Sequence, residues 1–280
     1  MCRDEADVAE GMLRHLDAEV DHIVVADNGS KDGTREILDQ LSKEISLTVL
    51  DDPDLAYYQS KKISALAELA ATEHGADWLL PVDFDEIWYS VVGRIRDTLA
   101  GLPDSVRALK VPLYNHFCSS IDPAGSDPFR TIGWRQREPG ALPKVAFRWE
   151  PGTVVHQGNH GVSMPTEGGR SSLPLLELRH FPFRSADQMV RKALNGAEAY
   201  KASDLPETMG HHWRSYGQII EQHGEEALRS VFRQHFWYLS PVDGGLIHDP
   251  APYRRWEVNL DEAPEGPPPA TEPGEMVSRT

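Results

Sequence analysis

The sequence predicts an α/β fold, a mostly parallel sheet flanked by helices, with a helical segment toward the C-terminus. Three observations predict it. Short apolar runs alternate with amphipathic stretches over the first ninety residues, clusters of Asp and Gly follow those runs, and 40% of the 280 residues are hydrophobic, enough for a real core.

Val8, Met12, Leu13 and Leu16 recur at helical spacing and mark a first helix. Ile23-Val24-Val25-Ala26 is a short apolar run of the kind buried in a parallel sheet. Ile37, Leu38, Leu41 and Ile45 make a second helical stripe, and Leu47-Thr48-Val49-Leu50 the next strand. Ile63, Leu66, Ala67 and Ala70 make a third helix, followed by a strand over 78–82. This β-α-β-α-β order predicts parallel pairing with helices on both faces. Farther on, Leu109, Val111 and Leu113 alternate, as do Val145, Phe147 and Trp149, which predicts strands half exposed to solvent. The Pro- and Gly-rich stretch 122–143 reads as loop. Leu176, Leu178 and His180 predict another strand. Ser185-Ala186-Asp187-Gln188 has the form of a capping box, ahead of a helix with Met189, Val190, Ala193, Leu194 and Ala197 on one face. Leu228, Val231, Phe232 and Phe236 predict a last helix. Residues 1–200 are read as the main domain and 201–260 as a helical extension. Residues 261–280, rich in Pro, Glu and Gly, are read as a disordered tail.

Composition narrows the partners. Lys and Arg number 28 against 44 Asp and Glu, a formal charge of −16. Such a field repels nucleic acid and anionic lipid, and no nucleic-acid partner is expected. Two cysteines, Cys2 and Cys118, offer neither a disulfide framework nor a metal-ligand spacing. No run reaches the roughly 18 to 20 apolar residues that span a bilayer. The first residues are polar, so no leader peptide is read there and a cytoplasmic location is expected.

In parallel sheets, ligands bind at the carboxyl ends of the strands. Asp27-Asn28-Gly29-Ser30-Lys31-Asp32-Gly33-Thr34 follows one apolar run and Asp83-Phe84-Asp85-Glu86 follows another, so two distant clusters should meet on one edge. Paired carboxylates there can hold a hard divalent cation through oxygen. Such a cation offsets the charge that develops on a departing diphosphate. A D-x-D pattern is also met in solvated acidic turns, and Asp and Thr cap many βα turns.

The stretch 24–34 resembles the nucleotide-binding signature of family-2 glycosyltransferases, in which a strand leads into D-D/N-G-S-x-D-G-T on a GT-A fold. Arg3-Asp4-Glu5-Ala6-Asp7 resembles the R/K-N/D-E segment that ends that family's first strand, and 77–86 resembles its metal segment. Gly158-Asn159-His160-Gly161 and 178–185 resemble downstream motifs of a bacterial branch. The match spans roughly residues 1–200, and the combination is far more specific than any part. It implies a GT-A-type nucleotide-sugar-binding domain that moves a sugar from a nucleotide diphosphate, UDP preferred, to an unidentified acceptor with inversion, using Mn²⁺ or Mg²⁺. Asp27 falls on the acid that reads the base. Arg3, Glu5, Asn28, Gly29, Ser30, Asp32, Gln59, Lys62 and Asp83 complete the implied nucleotide site. Asp83 and Asp85 are the implied metal ligands, with His180 in the place of a late histidine that completes the metal site in several GT-A enzymes; a partly buried histidine beside Arg179 and Phe181 is its other reading. Lys144, Arg148, Arg184 and Lys192 are phosphate-contact candidates. Trp134, Trp149 and Trp213 are candidates to stack on an acceptor sugar or to pack in the core. An inverting transfer needs a general base, and Asp122, Asp127 and Glu138 are candidates that nothing in the sequence separates. The family opens with a strand ahead of its R/K-N/D-E segment; here only Met1 and Cys2 precede it, so that strand is expected to be almost absent. Two other readings are a nucleotidyltransferase, whose Gly-rich basic phosphate loop is not seen, and a non-catalytic nucleotide-sugar-binding domain.

Overall fold

The computed structural model describes residues 1–166 and 168–257, so the expected disordered tail, 261–280, lies outside the described residues. The chain opens on α1 (Ala6–Glu19), β1 (Ile23–Asp27), α2 (Thr34–Leu41), β2 (Leu47–Asp51), α3 (Gln59–His74) and β3 (Trp78–Leu79). The middle holds β4 (Glu86–Ser90), α4 (Ile95–Ala100), β5 (Val106–Val111), β6 (Leu113–Ser119), α5 (Pro128–Thr131), β7 (Trp134–Gln136) and β8 (Lys144–Arg148). Three short strands, β9 (Val154–Val155), β10 (Val162–Ser163) and β11 (Gly169–Ser171), lead to β12 (Leu176–His180). The rest is α6 (Ala186–Lys201), α7 (His211–His223), α8 (Glu225–His235), β13 (Trp237–Tyr238) and β14 (Leu246–His248).

The fold is α/β, but its sheets are mixed rather than mostly parallel. β1 and β2 pair in parallel, Ile23 opposite Leu47 through Asp27 opposite Asp51. A second sheet runs β11-β5-β8-β3, and a third runs β14-β7-β6-β12-β4 with β13 also on β6. The physical reason is connection length. After residue 100 the strands follow one another through loops and short turns rather than through long crossover helices, which permits antiparallel returns such as β5 to β8 and β6 to β7. Cys2 forms a single parallel bridge with Asp27 ahead of α1, so the strand expected to be almost absent is one residue long.

The apolar stripes do what their spacing predicts. Val8, Met12, Leu13 and Leu16 are buried from α1, and Met189, Val190 and Ala193 from α6, while Leu194 stays exposed. Ser185 Oγ accepts from the Gln188 N–H at 3.1 Å, which satisfies one orphan donor of α6. Trp88, Phe147 and Phe181 are fully buried; burying a side chain of that size stabilises by roughly 1.5–3 kcal/mol. Both cysteines are buried, and burial pushes each thiol up to about 12.

Five expectations change. The 78–82 strand covers only Trp78–Leu79, because Pro81 brings no N–H to a ladder. All five residues of β8 are buried rather than half exposed. Val145 and Phe147 pack with Ile63 and Ala67 of α3, and Lys144 and Arg148 are buried through ion pairs. The 122–143 stretch contains α5 and β7 rather than loop alone. The 201–260 segment is not purely helical: β13 and β14, two and three residues long, are too short to show a period, yet they join β6 and β7. The boundary placed at residue 200 falls inside α6.

Candidate functional site

Strand ends build the site. β1 ends at Asp27, and a turn follows in which Gly29 and Gly33 take φ of +74° and +100°, accessible to glycine without steric cost. Asp27 is buried, and its Oδ1 accepts from the Ser30 hydroxyl at 2.6 Å and the Ser30 N–H at 3.2 Å. Asp32 accepts from the Thr34 hydroxyl at 2.6 Å and the Ala6 N–H at 3.0 Å. Ser30 Oγ accepts from the Asp4 N–H and Thr34 Oγ1 from the Glu5 N–H. The turn is thereby stitched to the segment 3–6. Asn28 reaches the other way and donates to the Asp52 carboxylate at 2.9 Å and the Asp54 carbonyl at 2.7 Å.

Register builds the acidic half. β12 runs antiparallel to β4, with His180 opposite Glu86, and parallel to β6, with His180 opposite Asn115. The Phe181 N–H donates to the Asp85 carbonyl at 2.8 Å, which draws the Asp85 and His180 side chains together, 3.4 Å apart at Oδ2 and Nε2. Asp85 also pairs with Lys192 of α6, which lies 3.4 Å from Glu5. Arg184 then holds Glu5 at 2.5 Å and Asp7 at 2.8 Å. Burial alone would raise the Asp85 carboxyl, but Lys192, His180 and Arg184 outweigh it and hold Asp85 well below the usual carboxylate range. Lys144 is buried between Asp83, at 2.6 Å, and Glu86, at 2.8 Å. Burial opposes its charge, yet those two carboxylates raise its pKa above the ordinary lysine value.

Glu5, Asp83, Asp85, His180 and Lys192 face a cavity of about 380 Å³. One wall carries Arg3, Asp4, Glu5 and Asn28, another Gln59, Asp83, Asp85 and His180, and α6 adds Gln188, Lys192 and Asn195. His212, Trp213 and Tyr216 of α7 close it with Phe183 and Tyr57. The implied nucleotide and metal residues Arg3, Glu5, Asn28, Gln59, Asp83, Asp85 and His180 are thus brought together. Asp27, Gly29, Ser30 and Asp32 shape the turn behind the wall. Lys62 stands 2.7 Å from Asp52 and bonds the Asp54 carbonyl, which fixes the loop that Asn28 grips. Of the four phosphate-contact candidates, Lys192 lines the cavity. Arg148 pairs with Asp77, and Arg184 and Lys144 are locked as described. Among the tryptophans, Trp213 lines the cavity, while Trp134 lies on β7 beside His248.

None of the three base candidates lines it. Asp122 accepts from the Ser119 N–H and hydroxyl, Asp127 caps α5 and pairs with Arg254, and Glu138 is exposed. Sequence reasoning missed Gln188, Asn195 and Tyr216. The i, i+4, i+7 spacing of Gln188, Lys192 and Asn195 put one polar face of α6 toward the site and was available.

The donor chemistry bears on a metal. His180 Nδ1 lies 2.7 Å from Asn115 Oδ1, and Asn115 Nδ2 donates to Gln136. The carbonyl oxygen of Asn115 can only accept, so His180 donates through Nδ1 and, in the neutral ring, presents its Nε2 lone pair toward Asp85. With the ring neutral, a cation between Nε2 and Asp85 Oδ2, the oxygen that also pairs with Lys192, would meet a lone pair from each. Asp83 is engaged differently: Oδ2 binds Lys144, and Oδ1 accepts from Asn159 at 3.1 Å and Gln59 at 3.4 Å. Among the described residues no three His, Cys, Asp or Glu side chains are grouped to hold a metal ion. Asp85 and His180 therefore fit as two protein ligands, the number typical where substrate phosphates complete the shell.

No protein-family model matches this chain, and no curated protein matches it. Among solved structures it is similar to S. aureus TarS 1–349, with 11% identity, 84% of this chain and 72% of that chain covered, and a TM-score of 0.39. No helix among the described residues is long and apolar enough to cross a membrane.

Proposed function

We propose that this chain is a glycosyltransferase that takes a nucleotide diphosphate sugar, with UDP as the carrier, into the 380 Å³ cavity together with Mn²⁺ or Mg²⁺. The observation that carries the reading is the Asp85–His180 pair at the end of β12, in which Asn115 of β6 holds the imidazole with Nε2 toward Asp85. Asp85 and His180 would hold the cation, and an imidazole ligand favours Mn²⁺ over Mg²⁺. When bound, the cation supplies positive charge opposite the departing diphosphate. Lys192 shares Asp85 and lies on the cavity wall, so its ammonium can turn from the carboxylate to a phosphate oxygen. Asp83, held in place by Lys144, lines the cavity, where its carboxylate can accept from a ribose hydroxyl.

Calorimetry of UDP with Mn²⁺, on the parent, Asp85→Asn and His180→Ala, tests this. The parent should bind UDP at least tenfold more tightly with Mn²⁺ than in EDTA, and each variant should lose that gain, about 1.4 kcal/mol or more. Indifference of the parent to Mn²⁺ would remove the cation from the site, and no binding of any nucleotide diphosphate would remove the function. Turnover of UDP-sugars by the parent separates an enzyme from a non-catalytic binding domain.

A further inference from the structure

The turn Gly158-Asn159-His160-Gly161 joins β9 to β10. The Asn159 N–H donates to the His156 carbonyl at 3.0 Å and the His156 N–H to the Gly161 carbonyl at 2.8 Å, which closes it. None of its four residues lines the donor cavity, yet it reaches Asp83 by three routes. Asn159 Nδ2 donates to Asp83 Oδ1 at 3.1 Å. The Gly158 N–H donates to Gln59 Oε1 at 2.7 Å, which turns the Gln59 amide so that its Nε2 stands 3.4 Å from the same Asp83 oxygen. His160 donates through Nδ1 to the Pro143 carbonyl at 3.0 Å, which fixes the residue ahead of Lys144, and Lys144 holds Asp83 Oδ2 at 2.6 Å.

Two local costs meet at Asn159. Its φ is +61°, in the left-handed region that few residues other than glycine adopt, directly after Gly158 at +77°. The residue is also fully buried, and its Oδ1 has no hydrogen-bond partner among the described residues, whereas buried polar atoms are ordinarily paired. Turning the amide over would aim Oδ1 at the Asp83 carboxylate, acceptor against acceptor, so Nδ2 is the end that faces Asp83. Backbone strain and an unmet acceptor at one residue are costs that cluster where geometry serves a site. Lone pairs show what is kept. Oδ1 of Asp83 serves Asn159 and Gln59, and Oδ2 serves Lys144, so one acceptor position, on Oδ2, is left for a ligand.

We propose that Asn159 is a positioning residue that holds Asp83 with that single acceptor toward the ribose of the donor. The inference rests on the donor reading of the cavity. Asn159 itself touches no ligand. It acts by stopping rotation of the Asp83 carboxylate, so that the ribose hydroxyl meets an acceptor already oriented and binding has less ordering to do.

Asn159→Gly tests it, because glycine keeps the left-handed backbone and removes only the amide. Calorimetry with UDP, 2′-deoxy-UDP and 3′-deoxy-UDP, all with Mn²⁺, gives the readout. The parent should bind UDP at least tenfold more tightly than one of the two deoxy forms, the effect of one hydrogen bond to a charged group. Asn159→Gly should bind UDP about tenfold more weakly and that deoxy form as the parent does, so that the ratio collapses. A merely structural role would weaken all three nucleotides alike, and that result overturns the proposal, as does an unchanged ratio. A parent that binds UDP but is indifferent to both hydroxyls overturns it and leaves the donor reading standing; a parent that binds no nucleotide diphosphate removes both. If Asn159→Gly does not fold, Asn159→Asp, which tolerates the same backbone and has no N–H to give, is judged by the same ratio.

Discussion

His116 shows how much one buried side chain fixes. Its Nδ1 donates to the Ile132 carbonyl at 2.9 Å, and its ring stacks on Phe181 at 4.3 Å. Burial, with Arg179 and Arg135 nearby, pushes its pKa down to about 3. An unfolded histidine titrates near 6.5, so between those values the unfolded chain takes a proton that the folded chain refuses. The stability tied to the neutral ring is complete above about 6.5 and is lost as pH falls toward 3, at up to about 1.4 kcal/mol per pH unit. His116→Gln, which keeps an N–H for Ile132, should flatten that part of the stability–pH curve in urea melts. A slope unchanged from the parent would assign the proton elsewhere. At this scale the sequence was informative where chemistry follows residue type. Asp85 and His180 are recognisable from a D-x-D pattern and a late histidine. The partners of Asp83 were not, because Lys144 arrives on β8 and Asn159 from a short 3₁₀ turn, and neighbours distant in sequence leave no local pattern. Asp27 was legible as a strand-end acid, while its commitment to Ser30 depends on the turn geometry.

Among the elements, α6 and α7 are joined by a missing side chain. A Cβ at Gly196 would come within 2.8 Å of the Trp213 ring, so glycine lets the indole lie flat against α6. Alanine in a helix interior ordinarily gains about 1 kcal/mol over glycine. Overpacking against a ring that must shift costs roughly 1–3 kcal/mol. Gly196→Ala should therefore lower the melting temperature, and Gly196→Ala with Trp213→Leu should melt above Trp213→Leu alone. Stabilisation by the single change would mean that the indole moves freely. α7 went unread because Trp213, Tyr216, Ile219 and Ile220 carry a helical period on a segment with Gly217 and three polar or charged residues between them. β4 went unread for a similar reason: Glu86 and Ser90 bracket its apolar residues, and both are buried through bonds to Trp88 and Thr98. The first three helices were legible because each carries an apolar stripe at helical spacing, and β1 and β2 because each is a short apolar run.

For the molecule as a whole, the last described segment ties the third sheet to α1. β14 pairs with β7, and Asp249 just beyond it accepts from Arg135 at 2.6 Å and from Arg179 at 3.0 Å. Tyr253 then packs on Phe129, and so close to α1 that a Cβ at Gly11 would meet its hydroxyl at 1.7 Å. Removing one partner of a buried ion pair costs about 3–5 kcal/mol. Asp249 is 38% exposed, so water and Glu177 soften the loss, and Asp249→Ala should cost about 2 kcal/mol in denaturant melts. A loss below about 0.5 kcal/mol would show that the segment is held by its other ties, the β14–β7 pairing, Tyr253 and the Arg254–Asp127 pair. No sequence period announces such a closure, since it depends on three residues of strand and a few long side chains. Shielding of the two thiols reaches beyond stability. With both pushed up to about 12 against an ordinary value near 8.5, their thiolate population near neutral pH is lower by about a thousandfold or more. A cysteine introduced at Leu239, which is exposed, would react with maleimide dyes far faster than either native thiol. Site-specific fluorescence or spin labelling of this chain therefore requires no cysteine-free background.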